Sequence, residues 1–567
     1  MTRLVEFFRH SALVVPVLCA CGAEPSRASG NTGGTRTDNL GGGLTGQGGA
    51  GATAIADANA ARLALTGDIV FSVPGGTFVD QVSVELSSGV QGAVVRYTTD
   101  GEPPTADSPL YSGPIVLAAT TQLRAQSFLG EEPSGRPGAA VYVARSFDVD
   151  LDLPIVVLDS YGSGALDPES REYVDVAFLA IAPTGGVASL SAPPAVATPA
   201  GFHVRGQSTA TFEKTPYRVE LRSADGEDLD WPLLGMPSEA DWALRGPFAD
   251  KALIRDAFFY GLGRDMGLQA PRFAYCELYR NLADRPLDSD DYMGVYLMVE
   301  TIKNQRNRLD LRQLDENDRA LPEIAGGYIM KFDWLAAEAP TLACSGGTAS
   351  CWSDLEVVDP KSPVTEQLAW LTSHVQEFHD VLHSDGFADP VSGYAAYIEV
   401  DSFVDHLIIN ELGREMDAYI RSTYFYKDRD TKLIAGPLWD YNLVFGVGGF
   451  FESDRAAGWQ YEQQRSPVNT DWYLRLTQDP AFLERVASRW RELRQGLLSD
   501  AALEGRIIEL ATPLANAAAR NFARWPNLST RQVGFFTTPT ESTWVGQLQF
   551  VRDWLQERVA WLDSQWG

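Results

Sequence analysis

Short runs of alternating apolar and polar residues fill one region of the chain, from about residue 66 to residue 146. Runs of this kind lie at 80–86, 93–99 and 121–128, and Gly, Pro and Asp residues separate them. A period of two that is broken by turn residues predicts antiparallel β-strands. We therefore expect a small, all-β, immunoglobulin-like sandwich over residues 66–146.

The region from residue 150 to residue 567 changes character along its length. Its first part has strand-like apolar runs and one predicted helix, at 250–266, which Gly267 ends. Beyond residue 326 the apolar positions follow the 3.6-residue spacing of helices. These helical segments are 365–384, 400–415, 472–525 and 542–566. A β-rich front followed by a helix-rich back predicts a large α+β domain with two lobes, and a crevice between lobes is a natural ligand site.

The first twenty residues have the pattern of a cleaved signal peptide. A short cationic head precedes an apolar run at 11–20, which is too short to cross a bilayer because a spanning helix needs ~20 residues. The run ends in Leu18-Cys19-Ala20-Cys21, which resembles the lipobox of bacterial lipoproteins. That resemblance implies a lipid on Cys21 and, with Gly22 next, the outer membrane of a Gram-negative host. The alternative is an ordinary secretory signal and an extracellular protein.

Residues 21–65 are rich in Gly, Ser and Thr and contain few large apolar side chains. Such a composition cannot bury enough surface to fold, so we predict a flexible linker. No second apolar stretch of spanning length occurs in the sequence, so the lipid is the only membrane contact that we expect.

The charge of the chain is strongly negative, with a formal net charge of −29. Binding to nucleic acid requires a basic face, so the charge argues against a nucleic-acid partner. It is compatible with a basic protein partner, which long-range attraction would favour.

Three cysteines lie beyond Cys21. Cys344 and Cys351 are close enough in sequence to close a small loop, and export permits a disulfide there. The alternative is two free thiols. Cys276 lies within an apolar, strand-like run, where a buried structural thiol is expected.

One segment of the predicted sandwich, at 96–115, resembles the C-terminal module of chitobiase and β-hexosaminidase. The matching positions of its core motif are Tyr97, Thr98, Asp100, Gly101, Pro104 and Thr105. The resemblance implies contact with carbohydrate, such as a cell-wall polysaccharide. The alternative is a structural spacer between the linker and the large domain.

Several segments between about residues 200 and 450 resemble, in order, the kinase family of the spore coat protein CotH. They are Arg205-Gly-Gln-Ser, Lys214, Tyr217-Arg218, Trp242, Leu244-Arg245, Asp250, Leu253-Ile254-Arg255, Gly294-Val-Tyr-Leu, Glu300, Gly326-Gly-Tyr, Asp417 and Gly436-Pro-Leu-Trp-Asp-Tyr-Asn442. The resemblance implies a divergent protein-kinase-like fold with two lobes. It also implies phosphorylation of exported proteins with ATP and Mg²⁺ or Mn²⁺.

The resemblance also assigns roles to the basic and acidic residues at the matching positions of the first lobe. Lys214, on a predicted strand, would hold the nucleotide phosphates, and Glu300 would be its ion-pair partner. Arg205 is a further candidate for a phosphate contact. Arg245, Arg255 and Arg421 are candidates of the same kind. The alternative is a surface charge for Lys214 and Glu300, and a structural ion pair for each of the four arginines.

In the second lobe, Asp417 follows a predicted helix, where kinases carry the catalytic acid. Asp440 stands where kinases carry a metal-binding Asp, and Asn442 would be the second metal ligand. Members of the family usually have Asn near residue 422 and Asp at 442. This chain has Ser422, Thr423 and Asn442 instead, which should weaken binding of a metal ion.

Three functions remain open on the sequence. The first is an exported, lipid-anchored, atypical protein kinase. The second is a catalytically weak or inactive surface protein that binds cell wall or polysaccharide, and the third is another nucleotide-dependent transfer on the same fold. A zinc site at His379 and His383, four residues apart on a predicted helix, has no third ligand nearby in sequence.

Overall fold

The structure, a computed structural model, describes residues 47–333, 340–346, 351–463 and 470–567, with the side chains of 47–55 excepted. The signal peptide and Cys21 lie outside these ranges, so the lipid anchor stays a prediction. None of the helices in the described ranges is long and apolar enough to cross a membrane.

The first described element is helix α1 (Gln47–Thr66), which occupies the last part of the predicted flexible linker. Its sequence is rich in Ala, the best helix former, and this explains the difference from the prediction. Ala61 and Leu65 are buried in the same apolar cluster as the strands of the large domain. The chain is therefore packed against the folded part before the predicted sandwich begins.

Eight strands form the small β domain that follows. They are β1 (Ile69–Phe71), β2 (Gly76–Phe78), β3 (Val82–Val84), β4 (Leu86–Ser88), β5 (Val94–Thr98), β6 (Ile115–Leu117), β7 (Thr121–Leu129) and β8 (Glu132–Ala144). Strands β2, β8, β7 and β5 form one four-stranded sheet, and the pairs β1–β4 and β3–β6 complete the domain. The alternating pattern of the sequence therefore marked a β-rich domain correctly.

Strand β8 belongs to two apolar cores at once. Ala140 and Tyr142 point into the core of the small domain. Val141 and Val143, on the opposite face, are fully buried against strands of the large domain. Successive side chains of a strand point to opposite faces, so the last part of β8 joins the two domains without a linker.

The front part of the large domain is a closed seven-stranded β-barrel, with strands in the order β10-β11-β13-β14-β17-β19-β18. Parallel pairing of the first and last strands in that order closes it. The elements in this part are β9 (Asp150–Leu151), β10 (Ile155–Asp159), β11 (Val174–Ile181), β12 (Ala188–Ser189), β13 (Val196–Val204), β14 (Tyr217–Leu221), β15 (Trp231–Leu233), β16 (Met236–Glu239), β17 (Asp241–Arg245), α2 (Arg255–Met266), β18 (Phe273–Asn281) and β19 (Tyr292–Glu300).

The back part combines a five-stranded sheet, ordered β21-β22-β20-β23-β24, with helices. Its elements are β20 (Tyr328–Phe332), β21 (Thr341–Leu342), β22 (Leu355–Asp359), α3 (Thr365–Leu382), α4 (Val400–Gly413), β23 (Thr423–Lys427), β24 (Ile434–Ala435), α5 (Trp472–Leu476), α6 (Pro480–Arg494), α7 (Asp500–Ala511), α8 (Ala515–Arg524), β25 (Gln532–Val533), β26 (Phe536–Thr537) and α9 (Trp544–Trp566). The predicted α+β class is confirmed.

Local capping explains why the long helical segment predicted at 472–525 is divided. Asp479 accepts a hydrogen bond from the backbone N–H of Ala481, 2.9 Å away, and Pro480 is the first residue of α6. The side chain of Ser499 accepts the backbone N–H of Ala502 at the start of α7. Such caps satisfy N–H groups that a helix leaves free, so each starts a new helix.

Two predictions about cysteine can be checked directly. Cys344 and Cys351 form the disulfide that their spacing predicts, with Cα atoms 5.8 Å apart. Cys276 is a free, buried thiol on β18, and burial raises its pKa. A thiol with a raised pKa forms little thiolate, so Cys276 has a packing role.

Candidate active site

Asp440 lies in a turn between β24 and a short 3₁₀ segment, Tyr441–Leu443, with left-handed backbone angles of φ 69° and ψ 51°. Helix α2 holds this turn from the other side. The backbone N–H of Asp440 donates to the Tyr260 hydroxyl at 3.1 Å, and that of Tyr441 donates to Asp256 Oδ1 at 2.8 Å. The position of the Asp440 carboxylate is therefore set by two bonds to one helix.

Arg245, the last residue of β17, connects the barrel to this turn. Its Nε donates to Asp256 Oδ2 at 2.9 Å, and its Nη2 donates to Asp440 Oδ1. The same Nη2 lies 3.5 Å from Asn442 Oδ1. We call Arg245, Asp256, Asp440 and Asn442 the Arg245 cluster.

The charge of Asp440 depends on this neighbour. Burial alone would raise the pKa of the Asp440 carboxyl, but the charge and hydrogen bond of Arg245 hold it below its usual value. The nearby Arg205 and a hydrogen bond from Ser422 act in the same direction. Asp440 is therefore ionised over the whole neutral range.

Two arginines share one face of the site with Trp439. The guanidinium carbons of Arg205 and Arg245 lie 4.9 and 5.5 Å from the centre of the Trp439 ring, which is cation–π distance. Burial lowers the pKa of Arg205 to about 10, and the positive charge of Arg245 adds to the effect. Both groups stay protonated at neutral pH, so the site carries two fixed positive charges.

These residues line an open cleft with about 510 Å³ of empty space, including the solvent at its mouth. Its walls contain Arg205, Gly206, Thr209, Phe212, Pro216, Arg245, Gly246, Pro247, Phe248, Ala249, Asp250, Asp256, Asp440 and Asn442. Guanidinium groups present several N–H donors in a planar fork that matches phosphate oxygens. The cleft is thus suited chemically to a phosphorylated ligand.

Asp417 lies in the turn that follows α4, as the sequence predicts. Arg421 Nη1 donates to its Oδ1 at 3.2 Å. Burial raises the pKa of Asp417 although Arg421 opposes the shift, and the charges of Asp440 and Asp333 raise it further. The charge of Asp440 reaches Asp417, so the two predicted acids lie near each other, but Asp417 is not among the residues that line the cleft.

Glu415 is a site residue that the sequence did not reveal. Its side chain is buried beside Asp417, and its Oε1 has no hydrogen-bond partner within the part of the chain that the structure describes. Burial raises the pKa of Glu415 well above its usual value, and the charge of Asp417 adds to this. A carboxyl in such surroundings is held in its neutral form. Only burial distinguishes it from other acids, and burial is not visible in the sequence.

Lys214 does not have the predicted position. It lies in a loop before β14 instead of on a strand, and it is fully buried. Its Nζ donates to Asn521 Oδ1 at 2.6 Å and sits 5.3 Å from the centre of the Tyr296 ring. Burial lowers the pKa of Lys214 well below its usual value. This lysine joins the barrel to α8 and is absent from the lining of the cleft.

Glu300 ends β19 as predicted, but its partners differ from the prediction. It accepts hydrogen bonds from Arg272 Nε at 2.6 Å and from Arg308 Nη1 at 2.7 Å. The backbone N–H of Arg272 also donates to it, at 2.8 Å. The predicted pair between Lys214 and Glu300 is therefore wrong. We call Glu300, Arg272 and Arg308 the Glu300 cluster.

The predicted metal ligands are close together, but they face a cation. Oδ1 of Asp440 and Oδ1 of Asn442 both point to Arg245. Within residues 47–333, 340–346, 351–463 and 470–567, no three His, Cys, Asp or Glu side chains gather in a way that could hold a metal ion. The donor set therefore does not fit a divalent metal.

His379, on α3, and His383, which follows the last residue of that helix, make other contacts than a metal pair would. Their rings are 4.2 Å apart, yet His379 Nδ1 accepts the indole N–H of Trp472 at 3.1 Å. His383 Nε2 lies 3.1 Å from both carboxylate oxygens of Asp471. Arg255 is likewise structural, since it forms a fully buried pair with Asp250.

Comparison with known proteins gives two matches on this chain. A family model described as CotH kinase protein matches residues 202–562, which is more than half of the sequence. A model described as chitobiase/beta-hexosaminidase C-terminal domain matches residues 73–137. No curated protein matches the chain. Both matches confirm the resemblances that the sequence motifs suggested.

Proposed function

The chain belongs to the CotH kinase protein family, and on that premise we propose that it is an atypical protein kinase. It would transfer the terminal phosphoryl group of ATP to a hydroxyl group of an exported protein. Family membership supports a phosphotransferase in general, and the residues of the cleft support the particular reaction.

One observation carries this proposal: two acids whose pKa values are shifted in opposite directions influence each other electrostatically, and one of them lies beside two arginines. Asp440 has a lowered pKa and Asp417 a raised one, and the charge of Asp440 contributes to the raised pKa of Asp417. Carboxyl groups whose surroundings push their pKa values apart are typical of acid–base sites. Arg205 and Arg245 add the positive charge that phosphoryl transfer requires.

The roles follow from the chemistry. The arginines would hold the phosphate oxygens of ATP, and Asp417 would accept the proton of the substrate hydroxyl. As the hydroxyl oxygen bonds to the γ-phosphorus, the bond to the oxygen of ADP breaks and ADP leaves with the electron pair. The raised pKa of Asp417 makes its carboxylate a stronger base than a free Asp.

Family membership also implies ATP and a divalent metal, Mg²⁺ or Mn²⁺. The residues of the cleft fit ATP, because two guanidinium groups match its phosphates. They do not fit the metal, because Asp440 and Asn442 are both engaged by Arg245.

The cellular location and the substrate are part of the proposal. The signal peptide and Cys21 support a lipid-anchored protein of the cell envelope, in the outer membrane of a Gram-negative host, or an extracellular one. The substrate would then be another exported protein. A net charge of −29 favours a basic one.

A second candidate function is supported by the same Arg245 cluster. If the ion pair with Arg245 keeps Asp440 from acting in catalysis, the protein is an inactive surface protein. Its chitobiase-like domain would then bind cell-wall polysaccharide. That domain matches the family model over residues 73–137.

The test is transfer of phosphate from γ-labelled ATP by the full chain, with autophosphorylation and a lysine-rich model protein as acceptors. Label should appear with the wild type and be lost with Asp417→Asn. If no label is transferred with Mg²⁺, with Mn²⁺ or in EDTA, the kinase proposal is wrong. Retention of the protein on peptidoglycan or chitin would then support the second function.

A further inference from the structure

Arg245 stands between the two side chains that the family resemblance assigns to a metal ion. Its Nη2 donates to Oδ1 of Asp440 and lies 3.5 Å from Oδ1 of Asn442. We propose that the cleft binds the phosphates of ATP through Arg205 and Arg245, without a divalent cation. The proposal rests on the proposed function, since it concerns the same nucleotide.

Arg245 is fixed on three sides and differs in this from a mobile surface arginine. Asp256 accepts from its Nε at 2.9 Å, the Trp439 ring lies 5.5 Å away, and Asp440 accepts from Nη2. The side chains of Arg245 and Asp256 are each only 12% exposed. Asp256 in turn accepts the backbone N–H of Tyr441. The guanidinium is thus part of the frame that shapes the turn.

A metal ion at Asp440 would have to displace this guanidinium or share the carboxylate with it. Displacement would leave the charge of Asp256 buried and without its partner, which is strongly destabilising. Sharing would put a divalent cation beside a guanidinium inside a partly buried site, where like charges repel strongly. Both routes oppose metal binding.

The remaining oxygen donors are too few to overcome this. Asn442 is neutral where members of the family often carry Asp, and hydroxyl groups of Ser422 and Thr423 stand where they usually carry Asn. Ser422 is already bonded to Asp440. Ca²⁺ and Mg²⁺ prefer several carboxylate or carbonyl oxygens, and no set of three acidic, His or Cys ligands occurs among the described residues.

The two arginines bring positive charge to the cleft, part of which Asp256 and Asp440 neutralise. Each guanidinium carries one positive charge and several N–H donors. Both line the cleft, and both pack on Trp439, which keeps them side by side. Paired Arg–phosphate hydrogen bonds are among the strong, directional contacts in proteins. Asp440 fixes the orientation of Arg245 in this arrangement.

The experiment measures ATP binding to the full chain by calorimetry, in excess EDTA and in excess Mg²⁺ or Mn²⁺. Removal of metal should weaken the affinity by less than about tenfold. A loss of more than about tenfold in EDTA would overturn the inference and leave the kinase proposal standing. Absence of ATP binding under every condition would overturn both.

Variants provide a second readout. Arg245→Gln should weaken ATP binding in EDTA at least about thirtyfold, as truncation of a buried charge pair does. Arg489→Gln is the matched control, because Arg489 pairs with Asp405 at 2.8 Å between α6 and α4; it should keep the wild-type affinity.

Unchanged affinity in Arg245→Gln would overturn the proposal. If Arg245→Gln does not fold, Arg205→Gln tests the same binding of phosphate by the two arginines. Arg205 packs on Trp439 and takes no part in the ion pair between Arg245 and Asp256. Retained wild-type affinity in that variant would overturn the proposal equally.

Discussion

The Glu300 cluster and the Arg245 cluster contain the same kinds of charged residue but differ in what surrounds them. Glu300 is 4% exposed and receives hydrogen bonds from two arginines and one backbone N–H. The side chain of Asp440 is 36% exposed and lines a cleft with Arg205 and Arg245. A closed ion cluster stabilises the fold, whereas one that lines a cleft can also contact a ligand.

The largest expected effect concerns the acid that completes the open site. Asp417→Asn should lower phosphoryl transfer by about 10²–10⁴-fold, the usual contribution of a general base. ATP binding should persist, because the arginines are unchanged. The measurement is the initial rate with γ-labelled ATP, beside calorimetric ATP affinity. Wild-type transfer by Asp417→Asn would remove Asp417 from the mechanism.

The second prediction concerns how much the Glu300 cluster contributes to the free energy of unfolding. Glu300→Ala leaves the buried Arg308 and the partly exposed Arg272 without their carboxylate, and we expect a loss of about 3–5 kcal/mol in the free energy of unfolding. Asp440→Ala, at a partly exposed position, should cost about 1 kcal/mol or less. Urea denaturation of both variants measures the difference. The reverse order would contradict the distinction between the two clusters.

The third prediction separates ligand binding from folding. Arg205→Ala should raise the KM for ATP about tenfold, the range for loss of one charge-assisted hydrogen bond, with little change in Tm. Arg272→Ala, in the Glu300 cluster, is the matched control and should lower Tm without changing KM. Steady-state kinetics and thermal unfolding of both proteins check this. Equal effects on KM would mean that the closed cluster also contacts ATP.

The fourth prediction concerns the dependence of stability on pH. The pKa of Glu415 is raised in the folded protein, so its stabilising contribution is complete below the unfolded pKa, near 4.5, and is lost as pH rises toward the folded pKa. Glu415→Gln removes that loss. The stability of the Glu415→Gln variant relative to wild type should therefore increase with pH between the unfolded and the folded pKa of Glu415, by up to about 1.4 kcal/mol per pH unit. Denaturation at pH values from about 5 to about 8 measures it. A difference that falls with rising pH would show that Glu415 is ionised.

The sequence predicted the acids of the site better than its cations. Asp417 and Asp440 follow a helix and a strand whose apolar patterns are clear, so their places in turns could be predicted. Lys214 was assigned to a strand at 212–221, but the strand starts only at Tyr217, after Pro216. Proline has no N–H for the sheet ladder, which explains why Lys214 remains in the loop.

Contacts between distant segments were beyond the sequence pattern. The partners of Glu300 come from Arg272, at the start of β18, and from Arg308, in a loop beyond β19. The barrel closes through parallel pairing of β10 with β18, more than a hundred residues later. A periodic pattern reports which face of an element is buried, but not which element covers it.

Strand β8 has a consequence for how the proposed kinase would meet an acceptor protein. Val141 and Val143 pack against the barrel while Ala140 and Tyr142 complete the small β domain, so no joint exists at which the two could rotate. A ligand bound by the small domain would therefore be held at a set distance and angle from the barrel. Which acceptor hydroxyl is phosphorylated would then depend on its distance from the bound ligand. A flexibly tethered domain would instead allow many distances.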